Sequence, residues 1–90
     1  MNPLSDVEIA QRLANLPGWE RDGDQIRRTF GFDDFDGSMA FVNRVAQLAE
    51  AADHHPDMDI RYSKVTLTLS THDAGGLTDR DFDLAGKVQP

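Results

Sequence analysis

The sequence predicts an α+β fold of two layers, a four-stranded antiparallel sheet with helices packed on one face, in the order α-β-β-α-β-β-α. Three observations lead there. Two segments open with a capping box and a hydrophobic staple, one at Ser5 and Glu8, the other at Thr78 and Asp81. Two pairs of short strand-like runs are each joined by a tight turn, at Asp22-Gly23 and near Ser63. Between these hairpins lies one long segment with helical apolar spacing, from Phe35 to Ala52.

Each element can be justified in turn. Leu4 and Ile9 staple the first helix, Ile9, Leu13 and Leu16 recur at helical spacing, and Pro17-Gly18 ends the run. Trp19 to Arg21 and Gln25 to Phe32 flank the first turn. Ile26, Phe30 and Phe32 share one phase of the second strand, and Arg28 interrupts it, so Arg28 is expected either near an edge or reaching out to solvent. Asp33 or Asp34 can cap the second helix. There Phe35, Met39, Val42, Ala46 and Ala49 form one apolar stripe, and Phe41, Val45, Leu48 and Ala52 widen it. Such a width implies burial against more than one surface, the sheet and a partner subunit. Met58 to Tyr62 and Lys64 to Ser70 read as the third and fourth strands. Val65, Leu67 and Leu69 face one way; Thr66, Thr68, Ser70 and His72 share the other phase. Gly75-Gly76 breaks the pattern, and Leu77 and Phe82 staple a last short helix through Val88.

Ninety residues make one domain, expected to span 1–90. Its core is modest, with 39% hydrophobic residues. There is no cysteine, so neither a disulfide nor a thiolate metal site can support it, and self-association is the remaining aid. A homodimer or homotetramer is therefore expected. The lack of cysteine fits a reducing, cytoplasmic setting. No segment approaches the roughly 20 apolar residues of a membrane span. The first residues lack the basic start and apolar run of a signal peptide. A net charge of -7 repels phosphate backbones, which argues against direct nucleic-acid binding.

The residues suited to chemistry sit late in the chain. His54 and His55 are adjacent in Asp53-His54-His55-Pro56-Asp57, and His72 follows the fourth strand. Imidazole donates and accepts protons near neutrality. His54 falls where the second helix ends, and a helix C-terminus stabilises imidazolium. Pro56 pushes His55 toward extended backbone, where neighbouring side chains point apart, so the pair suits two walls of a pocket better than one metal ion. A metal site from His54, His55, His72, Asp53, Asp57 or Asp73 has the right ligand types and the wrong spacing. The plainest alternative is surface histidines that cap helix carbonyls. None of the three lies on an apolar stripe, so the fold is expected to tolerate their loss. Asp81 is placed for capping first and a site second, Glu50 for a solvated helix face, and Trp19 for a core or edge anchor. No phosphate loop, nucleotide fingerprint or Ser-His-Asp order is present.

This constellation resembles the pterin-4a-carbinolamine dehydratase family, also known as dimerisation cofactors of a homeodomain transcription factor. Its spaced signature reads here as Glu50, three residues, His54-His55-Pro56, five residues, Tyr62, nine residues, His72, eight residues, Asp81. Gly18-Trp19, Tyr62-Ser63-Lys64-Val65, Thr68 to His72, Gly76-Leu77 and Arg80-Asp81 match around it. The resemblance runs from about Leu16 to Ala85. It implies dehydration of 4a-hydroxytetrahydrobiopterin to quinonoid dihydropterin and water, in tetrahydrobiopterin recycling, with no cofactor and no metal. It implies His54 and His72 as acid/base groups, His55 as the residue that holds the pterin, and Glu50 and Asp81 as substrate-side supports. An aromatic amino acid hydroxylase would be the pathway partner. The alternatives are a transcription-partner module, or a pterin-binding role without significant turnover.

Overall fold

The computed structural model describes residues 2–90, so that Met1, the first residue of the expected domain span, lies outside the described residues. The elements are α1 (Asp6–Leu13), β1 (Glu20–Asp22), β2 (Gln25–Gly31), α2 (Phe35–Ala52), β3 (Asp57–Arg61), β4 (Lys64–Leu69) and α3 (Asp79–Lys87). A 3₁₀ turn at His72–Ala74 joins β4 to α3. The expected order is present, and the strands form one antiparallel sheet in the order β1-β2-β4-β3.

Register explains why the helices occupy one face. Ile26 pairs with Leu69, Arg28 with Leu67, and Phe30 with Val65. Met58 and Ile60 of β3 continue the same two rows. Paired residues share a face, so these side chains line the face that carries the helices, apolar but for Arg28 and open to solvent at Ile60. The opposite rows are polar: Thr29 pairs with Thr66, their hydroxyls 2.7 Å apart, and Asp59 lies on the far side of Thr66. The first hairpin closes on Gly23-Asp24, with Asp22 paired to Gln25 and Gly23 at φ 61. A positive φ at the first loop position belongs to a twisted two-residue turn and suits glycine.

Arg28 does lie near an edge, since β1 pairs with β2 only as far as Arg27 and Arg28 is bonded to β4 alone. Its side chain is half-buried on the apolar face. The guanidinium lies 4.4 Å from the centroid of the Phe30 ring, where ring electrons attract a cation. A Cβ on Gly18 would come within 2.7 Å of the Arg28 Nε, so the glycine leaves room for it.

The stripe of α2 also needs correction. The residues turned to the core are Ser38, Phe41, Val45 and Ala49, with Val42 and Leu48 beside them. Phe41 meets the Phe30 ring at 4.6 Å and the Phe32 ring at 5.0 Å. Phe35 is 48% exposed, and Met39 and Ala46 are half-buried. Of the run that dominated the sequence pattern, Ala49 and Val42 join the core and Phe35, Met39 and Ala46 form its flank, because apolar residues occupy more than half the helix and periodicity alone cannot rank two adjoining stripes. The helix α1 is shorter than its pattern and ends at Leu13; Leu16 packs from the following turn. Asp34 caps α2 through Gly37 N–H at 2.8 Å. Ser5 and Glu8 form their box, and the Ser5 backbone N–H, then its hydroxyl, hold the Glu8 carboxyl below its usual range.

Phe41→Ala should destabilise the fold by about 3–5 kcal/mol, as expected for an aromatic side chain removed from a packed core. Phe35→Ala should cost less than about 1 kcal/mol. Urea unfolding of the two variants checks this, and equal losses would place Phe35 in the core.

Candidate functional site

The site begins where α2 stops. Asp53 N–H donates to the Glu50 carbonyl at 3.2 Å and His54 N–H to the Ala49 carbonyl at 3.1 Å. Together these are the paired bonds of a Schellman ending, and they require a left-handed residue at Asp53, which has φ 49. Glycine is the usual choice there, and Asp is among the few others that tolerate it. The Arg80 guanidinium, from the first turn of α3, donates to the Asp53 carbonyl and holds the bend. Pro56 then keeps the chain from re-entering the helix.

This ending turns His54 inward and His55 outward. His54 is 7% exposed, and its Nε2 lies 2.5 Å from Asp81 Oδ1. Asp81 has no exposed surface. Its other oxygen accepts from the Thr71 hydroxyl at 2.8 Å and from Thr78 N–H at 3.0 Å. Among the described residues the His54 ring makes no further hydrogen bond, and no side-chain nitrogen or oxygen shut off from solvent lacks a partner. Its Nδ1 therefore keeps contact with solvent. His55 Nε2 lies 2.5 Å from Glu50 Oε2, and both side chains are largely exposed. His72 opens the 3₁₀ turn and is exposed.

A cleft of ≈ 270 Å³ opens between the end of α2, the 3₁₀ turn and the start of α3. All three histidines line it, with Asp53, Thr71 and Arg80 among their neighbours. Residues separated in sequence by the whole of β3 and β4 are thus gathered at one end of the sheet. A buried imidazole that lines an open cleft and is backed by a carboxylate can pass a proton in either direction. No three histidine or carboxylate side chains converge as a metal-ligand set among the described residues.

Two expected site residues stand off the cleft. Glu50 lies beside it and reaches it through His55. Asp81 is wholly buried behind His54 and meets the imidazole rather than the cleft. Capping and site duty are also not alternatives for Asp81. One oxygen completes the capping box with Thr78 while the other meets His54. Thr71 and Arg80 carry no role in the sequence reading. Arg80 had a signal: a cation in the first turn of a helix opposes the dipole, and here it faces the carbonyl end of α2 instead. Thr71 had none, since its partners are seven and ten positions away.

The burial of His54 sets it apart from the other two histidines in what its loss should cost the fold. His54→Ala should cost about 1–3 kcal/mol, since it strips a buried carboxylate of a donor. His72→Ala should stay within about 0.5 kcal/mol. Thermal or urea unfolding of the single variants distinguishes the two, and matched stabilities would mean that the His54–Asp81 bond holds nothing in place.

Comparison with known proteins gives one consistent answer. Residues 2–90 match the family described as pterin 4 alpha carbinolamine dehydratase. A protein from Roseiflexus castenholzii, provisionally named a pterin-4-alpha-carbinolamine dehydratase, is 61% identical over 85 residues, covering 94% of this chain and 91% of its own. A protein of the same provisional name from Thermomicrobium roseum is 57% identical over 88 residues, covering 98% of this chain and 95% of its own. The crystal structure of a transcriptional coactivator/pterin dehydratase from Brucella melitensis superposes with a TM-score of 0.93 at 36% identity, over 97% of this chain and 95% of that one. A pterin dehydratase-like protein described as a RuBisCO assembly factor of the alpha-carboxysome shares the fold, with a TM-score of 0.63 at 21% identity over 78% of this chain and 81% of that one. With a family match along the described chain and relatives at this identity, the protein belongs to the pterin 4 alpha carbinolamine dehydratase family.

Proposed function

We propose that this protein dehydrates 4a-hydroxytetrahydrobiopterin to quinonoid dihydropterin, a step of tetrahydrobiopterin recycling. The observation that carries the reading is the cleft itself, where three imidazoles meet and one of them is backed by a buried carboxylate. The reaction asks for two proton movements. The C4a hydroxyl takes a proton and leaves as water, and N5 gives up its proton as its electron pair forms the double bond to C4a. The protons balance, and no electrons pass to an external acceptor. Side chains can carry both steps.

His54 and His72 are the acid/base pair in this reading. The Nε2–H of neutral His54 donates to Asp81, so its Nδ1 lone pair accepts a proton from the cleft. The protonated ring then has Asp81 as its counter-ion. His72, on the 3₁₀ turn, serves the other proton. His55, held by Glu50, rests against the pterin. The hydroxylated pterin would come from an aromatic amino acid hydroxylase, and the setting would be cytoplasmic. No helix among the described residues is long and apolar enough to cross a membrane. A homodimer or homotetramer is part of the proposal, supported by the half-exposed Phe35, Met39 and Ala46 flank of α2. The coactivator description of the Brucella structure supports a second reading, a protein-partner role.

His54→Ala and His72→Ala should each lower kcat by roughly 10²–10⁴-fold in an assay with freshly generated 4a-hydroxytetrahydropterin. His55→Ala should chiefly raise KM, because it acts on ground and transition states alike. A double His54/His72 variant with the wild-type rate would defeat the assignment. Because side chains carry every proton here, dialysis against a strong chelator should leave the rate unchanged, and a loss restored by zinc would require a different mechanism. Light scattering that gave a 10.0 kDa species at micromolar concentration would remove the oligomer.

A further inference from the structure

We infer that Thr71 is a positioning residue that sets the orientation of the His54 ring through Asp81 and, by its backbone, shapes the turn that carries His72. The inference rests on the reading of His54 and His72 as proton carriers. Thr71 is 2% exposed and lies between the end of β4 and the 3₁₀ turn. Its Oγ1 sits 2.8 Å from Asp81 Oδ2 and 2.8 Å from Thr78 Oγ1.

Those two contacts leave one arrangement of protons. A carboxylate only accepts, so the Thr71 hydroxyl donates to Asp81. A hydroxyl has a single proton, so the contact with Thr78 is donated by Thr78. The Thr78 oxygen in turn accepts from Arg80 N–H at 3.3 Å. The chain therefore runs one way, from Arg80 N–H through Thr78 and Thr71 to Asp81. With Thr71 and Thr78 N–H both on Oδ2, the carboxylate is held in one rotation and Oδ1 is left for His54. The imidazole meets it with Nε2–H, which leaves Nδ1 for the cleft.

The backbone of the same residue closes the loop beyond it. Thr71 N–H donates to the Gly76 carbonyl at 3.0 Å, and Ala74 N–H donates to the Thr71 carbonyl at 3.0 Å. His72 lies inside that closed loop. Thr71 therefore bears on both halves of the proposed acid/base pair, on His54 through its hydroxyl and Asp81, and on His72 through its main chain.

Thr71→Val keeps the shape and removes the hydroxyl. We expect kcat to fall roughly 10- to 100-fold with KM within about twofold, and Thr71→Ser to restore it. In proton–nitrogen NMR of the free protein, the His54 Nε2–H signal should shift or broaden in the valine variant and return in the serine variant. A valine variant with wild-type kcat and an unchanged Nε2–H signal overturns the inference, as does a serine variant as impaired as the valine one. Thr71→Ala is read by the same criteria if the valine variant does not fold. The NMR arm needs no substrate. A wild-type protein inactive on the pterin would therefore sink the proposed dehydration while the signal still decided the role of Thr71.

Discussion

Taking a carboxylate wholly out of water costs several kcal/mol unless its lone pairs are met, and Asp81 has no exposed surface at all. The structure meets that demand with three donors drawn from three places: the end of β4, the N-cap of α3, and the residue just past α2. Satisfying one side chain thereby ties together three segments. Remove the carboxylate and the α3 cap, the His54 ring and the Thr71 hydroxyl all lose a partner at once.

The helix ends make such a cluster possible. The C-terminus of α2 presents carbonyls, and the N-terminus of α3 presents N–H groups. Brought side by side, they supply complementary partial charges at close range. Arg80 crosses from one to the other and joins them through the Asp53 carbonyl. The left-handed turn at Asp53 then swings His54 into the gap, while the next residue is left facing water. A single backbone decision separates the buried imidazole from the exposed one.

The remainder of the molecule is a support for that end. The paired rows Ile26–Leu69, Arg28–Leu67 and Phe30–Val65 give the sheet a smooth apolar face, and α2 lies on it through Phe41, Val45 and Ala49. The outer face, with its threonines and acidic residues, stays polar. That separation lets a chain with a modest apolar fraction build a core and still leave polar side chains free for the cleft.

Local signals were legible in the sequence because they act within a few positions. Capping boxes at Ser5 and Thr78, the Asp22-Gly23 hairpin and the Pro56 break set element order and type, and the strand alternation set which face of β4 is buried. The three histidines stood out by residue chemistry, and the spaced signature tied them to a family. What tertiary structure alone decided was which surfaces meet. Two apolar stripes ran along α2, and only packing against Phe30 and Phe32 chose Phe41 over Phe35 for the core. Arg28 read as an edge or solvent residue, and the fold places it just past the β1 pairing, against the Phe30 ring and beside Gly18. His54 and Asp81 lie 27 positions apart, beyond the reach of any periodicity, and their burial depends on two helix ends converging in space. Hydrogen bonds of that range leave no pattern along a chain, which is why Thr71 emerged only once the fold had brought its hydroxyl to the carboxylate.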